Sequence, residues 1–85
     1  MLGAKLKRKG VKSGMPDVLI FDAPPNLPGK VGTAIELKWG KNTLTKKQKE
    51  TLRLLKERNW DTNSCWTMDE VIDVLVRCGY LPPQR

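Results

Sequence analysis

The 85-residue chain has no histidine and only two cysteines, Cys65 and Cys78. These absences exclude several kinds of chemistry. A structural zinc site needs four nitrogen or sulfur ligands, and serine or cysteine nucleophiles of the usual kind need an imidazole base. Any resident metal must therefore be held by oxygen, which favours Mg2+ or Mn2+. A disulfide between two lone thiols is not expected in a reducing compartment. Long apolar runs are missing too: the longest, Val18–Phe21, is four residues, where a membrane span needs about 20. The N-terminus carries no apolar signal core. The expectation is a cytoplasmic protein without a membrane partner.

Acidic residues are scarce, nine against sixteen lysines and arginines, for a net charge of +7. The excess is concentrated in KLKRKGVK (Lys5–Lys12) and KWGKNTLTKKQK (Lys38–Lys49), while the C-terminal third is nearly balanced. Two basic blocks on a short chain point to a polyanion, nucleic acid first among them; the plainer alternative is solubility charge. A chain of this length makes one small domain, 1–85, near the size where a single core is marginal. A second subunit is a natural source of further burial.

Residues 1–16 hold Gly3, Gly10, Gly14 and Pro16 without a sustained period and read as a basic arm or loop. Asp17–Asp22 reads as a strand with a buried Val18–Phe21 run, bounded by Pro16 and the Pro24-Pro25 pair. APPNLPGKVG is turn-forming, and Thr33–Trp39 is a second strand, so the two are expected to pair as a hairpin with a wide loop. Thr45-Lys46-Lys47-Gln48 fits a capping box opening a helix to about Asn59, with Leu52, Leu55 and Leu44 on its apolar face. Thr62–Trp66 reads as a third strand. A second capping box, Thr67-Met68-Asp69-Glu70, opens a helix with Val71, Ile72, Leu75 and Val76 on one face and Gly79 as its stop. Residues 80–85 form a tail. The order predicts an α/β domain with a small mixed sheet flanked by helices.

In TAIELKW (Thr33–Trp39), alternation places Ile35, Leu37 and Trp39 on one face and Ala34, Glu36 and Lys38 on the other. Trp39 is expected in the core, and Trp60 and Trp66 as packing residues. An isolated E-x-K is usually a solvated face. Asp17 alters that reading. In an antiparallel hairpin the start of the first strand meets the end of the second, so Asp17 approaches Glu36 and Lys38. Two close carboxylates repel unless a cation lies between them, and a divalent ion with a lysine beside it suits phosphodiester hydrolysis. Lys46, Lys47 and Lys49 crowd a helix N-terminus, where the macrodipole disfavours cations but a phosphate is welcome. With Lys41, and with Lys5, Lys7, Arg8, Lys9 and Lys12, they form the expected DNA-binding rim.

Pro16-Asp17, with Glu36-Leu37-Lys38 nineteen residues after the aspartate, resembles the PD-(D/E)XK nuclease signature. Taken with Gly10–Asp17 (GVKSGMPD), Ile35–Lys38 and Leu44–Gln48 (LTKKQ), the chain from about Gly3 to Leu75 resembles the virus-type replication-repair nuclease (VRR-NUC) domain, in particular standalone phage and bacterial members. The resemblance implies a restriction-endonuclease-like core and an Mg2+- or Mn2+-dependent endodeoxyribonuclease. It implies that Asp17, Glu36 and the Leu37 carbonyl hold the metal, that Lys38 is the catalytic lysine, and that Gln48 reaches the site. Gln48 also completes a capping box, and the two roles are compatible. Compact relatives resemble Holliday-junction resolvases, which implies branched DNA as substrate and a homodimer. The family's usual N-terminal helix carries a further glutamate, whereas no glutamate precedes Glu36 here. The expected core therefore lacks that helix, and water or a second subunit would supply the ligand. Two other readings stand: a DNA-binding module with a degenerate nuclease site, and a scaffold domain that offers its basic face to a protein.

Overall fold

The computed structural model describes residues 14–84. In chain order they form β1 (Val18–Ile20), β2 (Gly32–Leu37), α1 (Lys46–Glu57), β3 (Trp60–Cys65) and α2 (Met68–Cys78). The sheet order is β1-β2-β3, with β1 antiparallel and β3 parallel to β2. This is the small mixed α/β sheet expected. No helix among the described residues is long and apolar enough to cross a membrane.

β2 has a strand on each edge and a helix on each face, so every residue from Gly32 to Glu36 is buried. Ile35 joins Cys65, Val74 and Cys78 in the core beneath α2, whereas Glu36 is reached by Gln48 of α1. Adjacent strand residues point to opposite sides, so the two helices cover opposite faces. Gly32 permits the close approach of three strands: a Cβ there would lie 2.5 Å from the Ile20 carbonyl oxygen and 2.7 Å from the Trp60 ring.

Both helix starts behave as their sequences predict. Thr45 and Gln48 form a reciprocal capping box. Thr67 accepts from the Glu70 N–H, but the Glu70 carboxylate takes the N–H of Trp66 rather than that of Thr67. Gly79 ends α2 in the left-handed region, φ 94°. The β1–β2 loop covers that end: the Asn26 N–H donates to the Cys78 carbonyl and the Asn26 amide to that of Arg77. Both thiols are free and buried.

Several expectations need correcting. β1 is a three-residue edge strand, only half-buried, and Phe21 is exposed beyond it with its ring edge-on to Trp60 at 5.5 Å. β3 begins at Trp60, not Thr62, because Asn59 adopts φ 70° and turns the chain directly from α1 into pairing with Gly32. The core face of α2 is Val71, Val74, Leu75 and Cys78, an i, i+3, i+4, i+7 stripe, which leaves Ile72 and Val76 half-buried beside it. Trp39 is not in the core but 68% exposed. β2 stops at Leu37, so strand alternation no longer governs residue 39. Trp66, at 38% exposed, is likewise less enclosed than expected.

Gly32→Ala is expected to destabilise the fold by about 1–3 kcal/mol through overpacking, read as a lower urea midpoint with an unchanged m-value. An unchanged midpoint would show that β1 and Trp60 yield freely.

Candidate active site

The hairpin register pairs Val18 with Ile35, and one step further along the same antiparallel alignment sets Asp17 beside Glu36. Asp17 lies ahead of the strand, exposed, and its Oδ2 accepts the Leu37 N–H at 2.9 Å. That bond closes the ladder with a side chain where β1 has run out of main chain. A strand residue's N–H and C=O project to the same edge, so the Leu37 carbonyl faces the Asp17 side.

Glu36 is the costly carboxylate. It is 3% exposed, its Oε2 accepts from Gln48 Nε2 at 2.8 Å, and its Oε1 is buried with no hydrogen-bond partner among the described residues. Burial first, and then the negative Asp17 carboxylate, push its pKa up from the ordinary 4.5 to about 7, against a smaller opposing pull from Lys38.

Gln48 serves both readings of its sequence at once. Its Oε1 accepts the Thr45 N–H at 2.9 Å. A backbone N–H only donates, which fixes the amide orientation and turns the NH2 toward Glu36. The capping box thus aims a donor into the site. The loop before Asp17 rests on the same helical turn. Gly14, at φ 98°, comes so close to Lys47 that a Cβ would sit 3.1–3.2 Å from its atoms.

Lys38 follows β2 directly, half-buried, with its N–H on the Cys65 carbonyl at 2.8 Å. Lys46, Lys47 and Lys49 are exposed around Gln48, and no acid occupies the first turn of α1. Lys41 is exposed in the preceding loop. The fold therefore gathers Asp17, Glu36, Leu37, Lys38 and Gln48 at one end of the sheet, with four lysines on the neighbouring surface. Lys5, Lys7, Arg8, Lys9 and Lys12 lie outside the described residues. A cavity of about 850 Å3, lined by residues of β3, α2 and the tail including Asn63, Arg77 and Gln84, contains neither carboxylate.

Sequence reasoning missed two features of this region. Trp39, read as core, stands in solvent beside Lys38, and the Gly40-Lys41-Asn42 sequence after it is the turn signal that could have shown the strand ending early. The contact of Gly14 with α1 is long-range and had no local signal.

Two carboxylates, one with an unpartnered buried oxygen, and a backbone carbonyl on the same side make an all-oxygen donor set suited to a hard divalent cation. No group of three or more His, Cys, Asp or Glu side chains gathers among the described residues, so such an ion would draw its remaining ligands from water or substrate.

The family model of the VRR-NUC domain matches residues 2–69, a span that holds every residue of this cluster and ends in the first turn of α2. No curated protein and no solved structure matches the chain.

Because burial and Asp17 hold the Glu36 pKa up, the folded state binds a proton that the unfolded chain releases near 4.5. That contribution to stability is complete below 4.5 and is lost as the pH rises through about 7. In metal-free buffer, Glu36→Gln is expected to remove this dependence and to be more stable than the parent at pH 8, on the order of 2 kcal/mol. Parallel urea curves for the two proteins at pH 5 and pH 8 check it.

Proposed function

The chain belongs to the VRR-NUC domain family, a nuclease family acting on DNA, and from that premise we propose that it is a divalent-metal-dependent endonuclease using the Asp17–Glu36–Lys38 cluster. The observation that carries the proposal is Glu36: a buried carboxylate with one oxygen unpartnered among the described residues, set beside a second carboxylate. A cation relieves both the repulsion and the missing partner.

Asp17, Glu36 and the Leu37 carbonyl would hold the ion, and the oxygen donors favour Mg2+ or Mn2+. When bound, the ion supplies Lewis-acid polarisation of the scissile phosphate and lowers the pKa of water. The chain's own groups do the rest. The Leu37 N–H fixes the Asp17 carboxylate. Gln48 fixes Oε2 of Glu36, leaving Oε1 for the ion. Lys38 brings a positive charge to a phosphate oxygen, where negative charge grows as the bond breaks. Lys41, Lys46, Lys47 and Lys49 hold the flanking phosphates, and the lysines and arginine of the Lys5–Lys12 block, outside the described residues, add positive charge to the chain for the same polyanion.

Branched DNA is the substrate this reading favours, on the likeness to compact standalone members of the family. A homodimer is favoured too. The buried hydrophobic core among the described residues is Ala34, Ile35, Cys65, Val74 and Cys78, a small core that a subunit contact would supplement. A second reading, a DNA-binding domain without turnover, draws on the count of two clustered carboxylates.

Nicking of branched DNA with Mg2+ or Mn2+ is expected, with none in EDTA. Lys38→Ala is expected to lower the rate about 10²–10³-fold, and Asp17→Ala at least as far. A saturating divalent ion should raise the melting temperature of the parent but not that of Asp17→Asn. Salt-sensitive binding with no cleavage and no metal-induced shift would establish the second reading instead.

A further inference from the structure

We propose that Trp39 is a stacking platform for an unpaired nucleobase beside the scissile phosphate, so that this end of the sheet selects DNA in which a nucleotide has left the duplex. The inference rests on the nuclease reading and adds a specificity-determining residue to it.

An indole is among the costliest side chains to leave in water, since tryptophan is highly buried on average. Trp39 is nonetheless 68% exposed. The backbone turn that presents it is also fixed. The Asn42 N–H donates to the Trp39 carbonyl at 3.2 Å, closing a four-residue turn. Gly40 takes φ 64°, and Asn59 is the one non-glycine residue with positive φ among those described. A positive φ at the first central position alone is the type II′ pattern. From the other side, the Trp66 indole N–H donates to the Asn42 carbonyl at 2.9 Å. The turn that carries Trp39 is thus bonded internally and tied to the end of β3, so little backbone freedom is lost when a ligand settles there.

The surroundings indicate the ligand. Trp39 directly follows Lys38, and three residues of chain place its Cα within about 11 Å of the Glu36 Cα. Lys41, in the same turn, is exposed, as is Lys46 at the start of α1. An aromatic face among cations matches a nucleotide, with the base on the ring and phosphates on the ammonium groups. Bases inside a duplex are already stacked on their neighbours, so only an unpaired base can use the platform. A second copy of the chain is the other candidate cover. A two-fold contact would bring Lys38 and Lys41 toward their own copies, a like-charge arrangement that disfavours it.

The test uses the full chain in EDTA, with fluorescence anisotropy on a labelled duplex bearing a single-stranded flap and on a fully paired duplex, at one salt concentration. Trp39→Ala is expected to weaken flap binding about tenfold to a hundredfold while duplex binding changes by less than about twofold. Trp39→Phe keeps an aromatic face and should retain most of the flap affinity. The parent's tryptophan fluorescence should be quenched by the flap substrate, and less so in Trp39→Phe. Equal losses on both substrates, or no loss on the flap, would overturn the proposal. So would sedimentation in which Trp39→Ala converts a dimer to monomer, because the ring would then belong to a subunit contact. The two readings fail separately: flap-selective quenching by a parent that cuts nothing removes the nuclease and keeps the platform. Cleavage with no dependence on residue 39 does the reverse.

Discussion

Glu36 sets a carboxylate in the central strand of a three-stranded sheet, where burying a charge costs several kcal/mol unless it is paired or neutralised. The neighbouring residues meet that cost only in part. Gln48 donates to one oxygen, Lys38 pulls the pKa down, and Asp17 pushes it up. A protein built only for stability would place an apolar side chain here, since the same strand carries Ala34 and Ile35 at full burial. The arrangement is a local conflict between fold and chemistry, of the sort that marks functional sites.

The two sheet faces divide the work. Beneath α2 the sheet is apolar at its centre, and its polar groups are satisfied. Thr33 meets Cys78 and Tyr80, while Asp61 accepts from Asn63, Arg77 and Cys78. Those bonds hold the Asp61 carboxyl below its usual range despite burial. The contrast with Glu36 is instructive. Both are carboxylates on strands of the sheet, yet one accepts from three donors and the other keeps an orphaned oxygen. Beneath α1, by comparison, the helix contributes no fully buried residue. Its attachment depends on half-buried Leu52 and Leu55, on the Gln48–Glu36 bond and on the contact of Gly14 with Lys47.

Much of this was legible in the sequence because the features involved are periodic or local. Alternation in TAIELKW set Glu36 and Lys38 on one face, and the hairpin then brought Asp17 to them. Thr45, Gln48, Thr67 and Gly79 announced the helix ends through hydrogen bonds made within a few residues. What escaped was non-local. Periodicity cannot say where a strand stops, so Trp39 was carried into the core by an alternation that ends at Leu37. Val18–Phe21 reads as a buried run, but β1 is an edge strand and pairs over only three residues. Nor could pattern reveal which carboxylate is buried. The central position of β2 encloses Glu36, whereas Asp17, ahead of the edge strand, is exposed.

The mixed topology is what makes the cluster possible. Asp17 precedes β1, and Glu36 stands near the end of β2. Were β1 parallel to β2, these residues would lie at opposite ends of the sheet, about 20 Å apart for a six-residue strand. Antiparallel pairing folds them together at the carboxyl ends of β2 and β3, the side on which open α/β sheets bind ligands. α1 begins at that same end, and its lysines oppose its own dipole there. Arg53, paired with Glu50 and Glu57 on the exposed surface further along the helix, supports it where no ligand is expected. The first turn of α1 is thus left positively charged, its end held by a capping box whose glutamine also reaches Glu36.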